Sequence, residues 1–293
     1  MRRAILYIAA MGLGYCASPA PAVVLFPGDA GVPAGSRPND AVVGQFSGAS
    51  AVAIAPNYIL TVNHSGGGVG STAILGGISY TVTQSVPIGN ADLQVDQIAN
   101  SATLLPANLT QYTPIYTNTN EVGQQVIIGG FGDGAGAAIY SGSEVVGYQW
   151  DGVHGVERWG ANTVMSIEGG VQAQYLPYSS VALESYFYPQ TSPNWIAHEG
   201  AVADGDSGGG WFIFDSISGQ YEVVGINAYV STGGASYFAP TPDENYAIQV
   251  AYYADSIDAA IGISAAPEPA GLSLMALSAV GLLLRRRRRL AGN

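Results

Sequence analysis

Short apolar runs, broken by clusters of glycine, asparagine and proline, fill the middle of the chain, which is the punctuation of an all-β protein. The runs Ser50 to Ala55, Tyr58 to Val62, Ile78 to Thr83, Gln125 to Gly129, Glu144 to Gln149, Gly210 to Phe214 and Tyr221 to Tyr229 predict strands. Few of them alternate cleanly, and several are apolar on both faces, as strands covered on two sides are. From about Tyr252 to Ile261 the pattern changes: Tyr253, Ile257 and Ile261 recur every four residues and predict a short helix. The polar stretch Leu105 to Glu121, with Pro106, Pro114 and the pairs Thr117-Asn118 and Thr119-Asn120, reads as a link. It divides the body into two β units, residues 42–112 and 113–262. No repeat of about 20 to 50 residues is visible, which sets propellers and solenoids aside.

Both ends break this pattern. Met1-Arg2-Arg3 leads into an apolar stretch from Ala4 to about Leu13 and then Ala20-Pro21-Ala22, so residues 1–22 read as a signal peptide. The sole cysteine, Cys16, falls inside it, leaving the mature body without thiol or disulfide. At the other end Pro267-Glu268-Pro269 precedes an apolar run, residues 270–284, and five arginines, Arg285 to Arg289. Residues 267–293 resemble the PEP-CTERM sorting signal of Gram-negative bacteria. The apolar run could enter a bilayer while the arginines hold its end on the cytoplasmic side. At 1.5 Å per residue it reaches only about 22 Å, short of the roughly 30 Å hydrocarbon core, so a transient anchor is expected. The resemblance implies a signal peptidase and a membrane-bound sorting peptidase as export partners. The body would end secreted or attached to surface material.

Removing the ends transforms the charge. Seven of the nine basic residues lie in them, leaving Arg37 and Arg158 against 21 acidic residues, a formal charge of −19, or −18 if Glu268 also leaves. A body so acidic repels nucleic acid and anionic lipid. Roughly 245 residues remain, enough for a real core, and 48% of the chain is apolar against 10% charged, the reverse of a disordered composition.

Gly205-Asp206-Ser207-Gly208-Gly209 carries the strongest chemical signal. A serine hydroxyl attacks only when a base takes its proton and N–H donors meet the developing oxyanion. Gly205 would let the chain turn so that the Gly205 and Ser207 N–H groups face one hole, with Gly208 and Gly209 leaving room for substrate. His64 is the preferred base, because it ends the apolar run Ala51 to Val62 at the start of a glycine-rich turn; His154 and His198 are the competitors. The orienting carboxylate is expected between the histidine and the serine in chain order; Asn90-Ala91-Asp92-Leu93-Gln94-Val95 resembles the Asp-apolar-x-apolar segment of the chymotrypsin-like serine peptidases, which makes Asp92 the choice and Asp96 the fallback.

These segments resemble the chymotrypsin-like (trypsin-superfamily) serine peptidases. The stretch from Ala51 to His64 looks like the family's apolar strand, turn, apolar-Leu-Thr, two small residues and His, with Val62-Asn63 where two alanines are usual and Ser65 where a cysteine is usual. The order His, Asp, Ser is the family's own. Gly129-Gly130-Phe131-Gly132, Val223-Val224-Gly225-Ile226 and Asn245 to Val250 extend the likeness from about Val42 to Ile261. The resemblance implies two six-stranded antiparallel β-barrels, a short C-terminal helix and the site between the barrels. It also places Ala201, Tyr229 and Val230 in the substrate pocket, with Ala228 and Tyr229 standing where serine and tryptophan are usual. Without a carboxylate at Ala201 the pocket is expected to take apolar or small side chains. In the family's zymogens a freed apolar N-terminus pairs with the aspartate before the nucleophile; here cleavage after Ala22 would present Val23 to Asp206.

A secreted serine endopeptidase acting on proteins or peptides is therefore expected, with no cofactor and no metal. The alternatives are a catalytically weak, surface-displayed binding protein on the same fold and, more distantly, an esterase. Calcium would suit so acidic a body, but no ligand spacing marks a site, and Gly129 to Gly134 lacks the Gly-Lys-Ser/Thr ending of a phosphate loop. Oligomeric state leaves no trace in the sequence.

Overall fold

A computed structural model describes residues 23–172 and 176–262. The expected signal peptide, the Pro-Glu-Pro tail and its apolar run lie outside the described residues. Among those residues no helix is long and apolar enough to cross a membrane. The chain divides into two compact units, Met1–Ala254 and Asp255–Asn293, and every strand belongs to the first.

Strand β1 (Val24–Leu25) opens the described chain. It is followed by β2 (Val43–Phe46), β3 (Ala49–Ala55), β4 (Tyr58–Thr61), β5 (Thr72–Leu75), β6 (Ile78–Pro87) and β7 (Gln94–Asn100). β2 to β7 close into an antiparallel barrel in the order β2-β3-β4-β7-β6-β5. Phe46, Ala51, Ala53, Ile59, Leu75, Val82 and Ile98 fill it. Closure removes sheet edges, and it explains why β3 does not alternate between apolar and polar. Ala51 and Ala53 face the barrel core. On the other face Ser50 and Val52 meet the second half of the chain, where a side chain on Gly208 or Gly210 would strike them.

No named strand lies between residues 101 and 124. The second half then supplies β8 (Gln125–Gly130), β9 (Ala135–Ser141), β10 (Glu144–Trp150), β11 (Arg158–Thr163), β12 (Ser166–Val171), β13 (Ser180–Tyr186), β14 (Gly200–Ala201), β15 (Gly210–Asp215), β16 (Gln220–Val230), β17 (Ala235–Tyr237) and β18 (Glu244–Gln249). The helix α1 (Val250–Ala260) follows. Here the hydrogen bonding is less regular than six strands closing on themselves. Seven strands run β11-β8-β15-β16-β18-β13-β12, β17-β10-β9 form a separate sheet, and β1 pairs with β14. Bulges account for part of the departure: the registers shift between Trp211 and Phe212 and between Asn227 and Tyr229, and such extra residues bend a strand and end its pairing. Val126, Ile128, Leu183, Trp211, Ile213 and Val224 make the main core of this half. A second cluster stacks Phe26 on Phe187 and Phe238, with ring centroids 5.0 and 5.3 Å apart. The N-terminal segment is thus packed into the second half, although it precedes the barrel in sequence.

Candidate active site

The barrel presents two groups at one rim. His64 follows β4, and Asp92 sits in the turn between β6 and β7. Asn63 binds the two segments together, its Nδ2 donating to the carbonyls of Ala91 and Leu93 at 2.9 Å each. Asp92 is fully buried and accepts from the His64 backbone N–H at 2.8 Å, while its Oδ2 meets His64 Nδ1 at 2.5 Å. A carboxylate in that place fixes the imidazole with its proton on Nδ1, leaving Nε2 free to accept.

Ser207 comes from the second half, in the turn before β15, and its Oγ lies 2.9 Å from His64 Nε2. Its seat is built by β3. The Ser50 N–H donates to the Ser207 carbonyl at 2.9 Å, and Ser50 Oγ donates to the Gly205 carbonyl at 3.0 Å while accepting from the Phe131 N–H. The structure thus brings His64, Asp92 and Ser207 together. His154 and His198 stand elsewhere, paired with Asp133 and Asp29. Asp96, the fallback carboxylate, is buried within β7 beside Gln94.

Gly205 has φ +84°, and a Cβ there would lie 2.8 Å from Gly132 Cα, so the turn admits only glycine. Among the described residues neither the Gly205 nor the Ser207 N–H donates to a protein acceptor. Gly208 and Gly209 correct the sequence reading. A Cβ on Gly208 would sit 2.0 Å from the Ser50 carbonyl oxygen, and one on Gly209 2.3 Å from that of Gly129. These glycines admit the protein's own backbone and not substrate.

A hydroxyl that sequence reasoning missed completes the buried end. Tyr229 OH donates to Asp92 Oδ2 at 2.7 Å, and the ring stacks on His64 with centroids 5.8 Å apart. Ala228 carries no hydroxyl where the resemblance leads one to expect serine, and Tyr229 supplies one from the next residue. Burial, then the bond to Asp92, pushes the Tyr229 hydroxyl well above its ordinary range, so it stays a donor. A tyrosine in a strand reads as core, and only its register against Asp92 reveals the contact.

Beside Ser207 lies a cavity of about 160 Å³ lined by Trp150, Val202, Ala203, Asp204, Asn227, Ala228, Tyr229 and Val230. Ala201, expected at its floor, is not part of the lining. It pairs with Val24 across β14 and β1 and packs in the Phe26 cluster, so the wall at that point comes from Val202 and Ala203. Trp150 closes the cavity from β10, a residue that nothing in the sequence pattern marks. A second cavity of about 300 Å³ is lined by Phe46, Ala49, Ile74, Phe131 and His154 among others, but includes no member of the His-Asp-Ser group.

Behind Ser207, Asp206 is fully buried and accepts from the N–H groups of Gly132, Ala203 and Val23 at 2.9, 3.0 and 3.2 Å. Burial pushes its carboxyl up to about 7 despite these bonds and the nearby Arg158. Arg158 Nη1 donates to the Val23 carbonyl at 3.2 Å, so Val23 is held between an acidic and a basic side chain. Burial lowers Arg158 to about 10.

No known protein-family model matches this sequence, and no curated protein matches it. Solved structures do. Neuropsin, a serine protease expressed in the limbic system of mouse brain, aligns over 76% of this chain and 95% of its own at 17% identity, with a TM-score of 0.50. The Rv3671c protease of M. tuberculosis, in an inactive form, aligns over 76% of this chain and 90% of its own at 14% identity and a TM-score of 0.45. The chain has the chymotrypsin-like serine protease fold.

Proposed function

We propose that this chain is a serine endopeptidase in which Ser207 is the nucleophile, His64 the general base and acid, and Asp92 the group that orients the imidazole. The observation that carries the reading is the unbroken line from Asp92 Oδ2 to His64 Nδ1 and from His64 Nε2 to Ser207 Oγ, with bonds of 2.5 and 2.9 Å. Ser207 Oγ attacks the scissile carbonyl carbon as its proton passes to Nε2, and the carbonyl oxygen, now an oxyanion, accepts from the Gly205 and Ser207 N–H groups. The C–N bond then breaks as Nε2 returns the proton to the leaving amine, and water repeats the cycle on the acyl-enzyme. Asp92 is held throughout by Tyr229 OH and the His64 N–H.

The apolar walls and small volume of the cavity favour a small or medium apolar side chain before the scissile bond, and Val230 limits its depth. Esters fit the same chemistry less selectively. A weakly active binding protein, the alternative, is favoured by Ala228 and by the surface-directed tail; the Tyr229 hydroxyl on Asp92 offsets the first of these. The test is hydrolysis of peptide libraries by the tail-less protein. Cleavage after apolar or small residues that disappears in Ser207→Ala is expected; cleavage unaffected by that substitution overturns the assignment.

The reading extends to processing. Cleavage after Ala22 would convert the Val23 N–H beside Asp206 into an ammonium group, which would hold the carboxylate ionised in its buried site. Export by residues 1–22 and sorting by residues 267–293 complete the proposal. Mass and terminal sequence of the exported protein test them: Val23 at the front and loss of the arginine tail are the expected result.

A further inference from the structure

We propose that Asp133, His154 and Asp204 form a binding site for a divalent transition-metal ion of the zinc class, set against the back of the turn that carries Ser207. Asp133 follows β8, His154 lies between β10 and β11, and Asp204 stands three residues before Ser207. His154 Nε2 is 2.9 Å from Asp133 Oδ1 and 3.9 Å from Asp204 Oδ2. Among the described residues this is the one place where three such side chains converge, their donor atoms all within 4.8 Å of one another. An ion about 2.0 to 2.2 Å from each ligand needs donors roughly 3 to 3.5 Å apart. Asp204, with its side chain 72% exposed, is free to close the remaining gap.

Acidic side chains in proximity do not make a site, and the stronger observation is Asp133. It is 5% exposed, and its Oδ1, the atom that faces His154, is buried without an aligned hydrogen-bond donor. A buried carboxylate oxygen left so costs free energy that a bound cation would recover. The charges around it are also unbalanced. Asp133, Asp151, Asp204 and Asp206 gather here, and the fixed cation that faces them among the described residues, Arg158, reaches Asp151 only at 3.8 Å with its Nη2 otherwise unpartnered. The imidazole selects for zinc and its neighbours over calcium or magnesium, which take oxygen ligands. Three protein ligands leave a fourth position for water.

The site bears on the nucleophile turn through two contacts. The Asp133 N–H donates to the Asp204 carbonyl at 2.7 Å, and the His154 ring backs Gly205, where a Cβ would meet Nδ1 at 3.3 Å. A bound ion would fasten this turn to the one after β8. The inference rests on these contacts alone and holds whether or not the chain cleaves peptides.

The test is calorimetric titration of zinc into the EDTA-treated protein carrying His64→Ala, which removes the other clustered imidazole as a competing ligand. One ion per chain is expected, bound at least about tenfold more weakly when His154→Ala or Asp204→Asn is added. His198→Ala, which disrupts the separate pair with Asp29, is expected to leave binding unchanged. Both added substitutions fall on partly or largely exposed side chains, and thermal unfolding without metal checks that each variant is folded. Absence of binding, or equal affinity in the His154→Ala protein, overturns the proposal.

Discussion

The barrel and the second half solve the burial of carboxylates differently. In the barrel Asp92 is buried at the rim with a donor on each side, His64 and Tyr229, and belongs to a constellation that opens onto the cleft. In the second half Asp206, Glu199, Asp133 and Arg158 are buried, Asp206 behind the Ser207 turn against the Gly132 and Ala203 N–H groups and Glu199 against those of Tyr188 and Ile196. Burial raises the carboxyls of Asp206 and Glu199 to about 7, the signature of desolvation outweighing hydrogen bonds. The barrel is a frame closed by its own strands, whereas on the processing and metal-site proposals the geometry around Ser207 would respond to protons, to a freed N-terminus and to a bound cation.

The largest expected effect joins the two regions. His64→Ala from the barrel and Ser207→Ala from the second half should each lower peptide hydrolysis by about 10⁴-fold or more, and the double variant should lose little beyond either. Additive losses in steady-state kinetics would show that the halves do not act as one unit. Next come two buried aspartates. Asp206→Ala leaves three backbone N–H groups without their acceptor and should cost about 3 to 5 kcal/mol in urea unfolding, at about 1 to 3 kcal/mol for each buried donor left unsatisfied. Asp96→Asn in the barrel alters a carboxylate whose Oδ1 has no partner and should stay within about 1 kcal/mol. Similar costs would erase the distinction drawn between the halves.

A third prediction concerns pH. Asp206 and Glu199 have folded pKa values near 7, above their ordinary values near 4, so between about pH 4 and 7 the folded state holds more protons than the unfolded one. Stability therefore falls as pH rises through that window, and above it the loss is complete. In protein whose Val23 nitrogen remains in a peptide bond, urea midpoints should be higher at pH 4.5 than at pH 7.5. Freeing the Val23 amine places a cation on Asp206 and should flatten that slope; identical slopes would contradict the pairing. The smallest effect is Tyr229→Phe, which should lower kcat/KM by about tenfold or less. An unchanged kcat/KM would make the tyrosine merely a packing residue.

How much of this was legible beforehand follows from which contacts are local. The runs around Ile54, Ile59, Val126, Phe212 and Val224 announce strands because each packs apolar side chains densely, and β3, β4, β8, β15 and β16 lie within a residue or two of their expected limits. β9, β11 and β12, rich in alanine, glycine and polar residues, carry no period of their own and exist through their partners. The motifs around His64 and Ser207 were visible since backbone turn and side-chain chemistry coincide in a few residues. The hydroxyl of Tyr229, the retreat of Ala201 from the pocket and the true reason for Gly208 and Gly209 depend on register between distant strands. A single sequence does not display register.

The central claim is that Ser207 is activated by His64. Reaction of the exported, tail-less protein with a fluorophosphonate probe, followed by peptide mapping, tests it most directly. Modification at Ser207 that vanishes in the His64→Ala protein is the predicted result. Folded protein with a free Val23 amine that takes up no probe, or takes it up equally without His64, would contradict it.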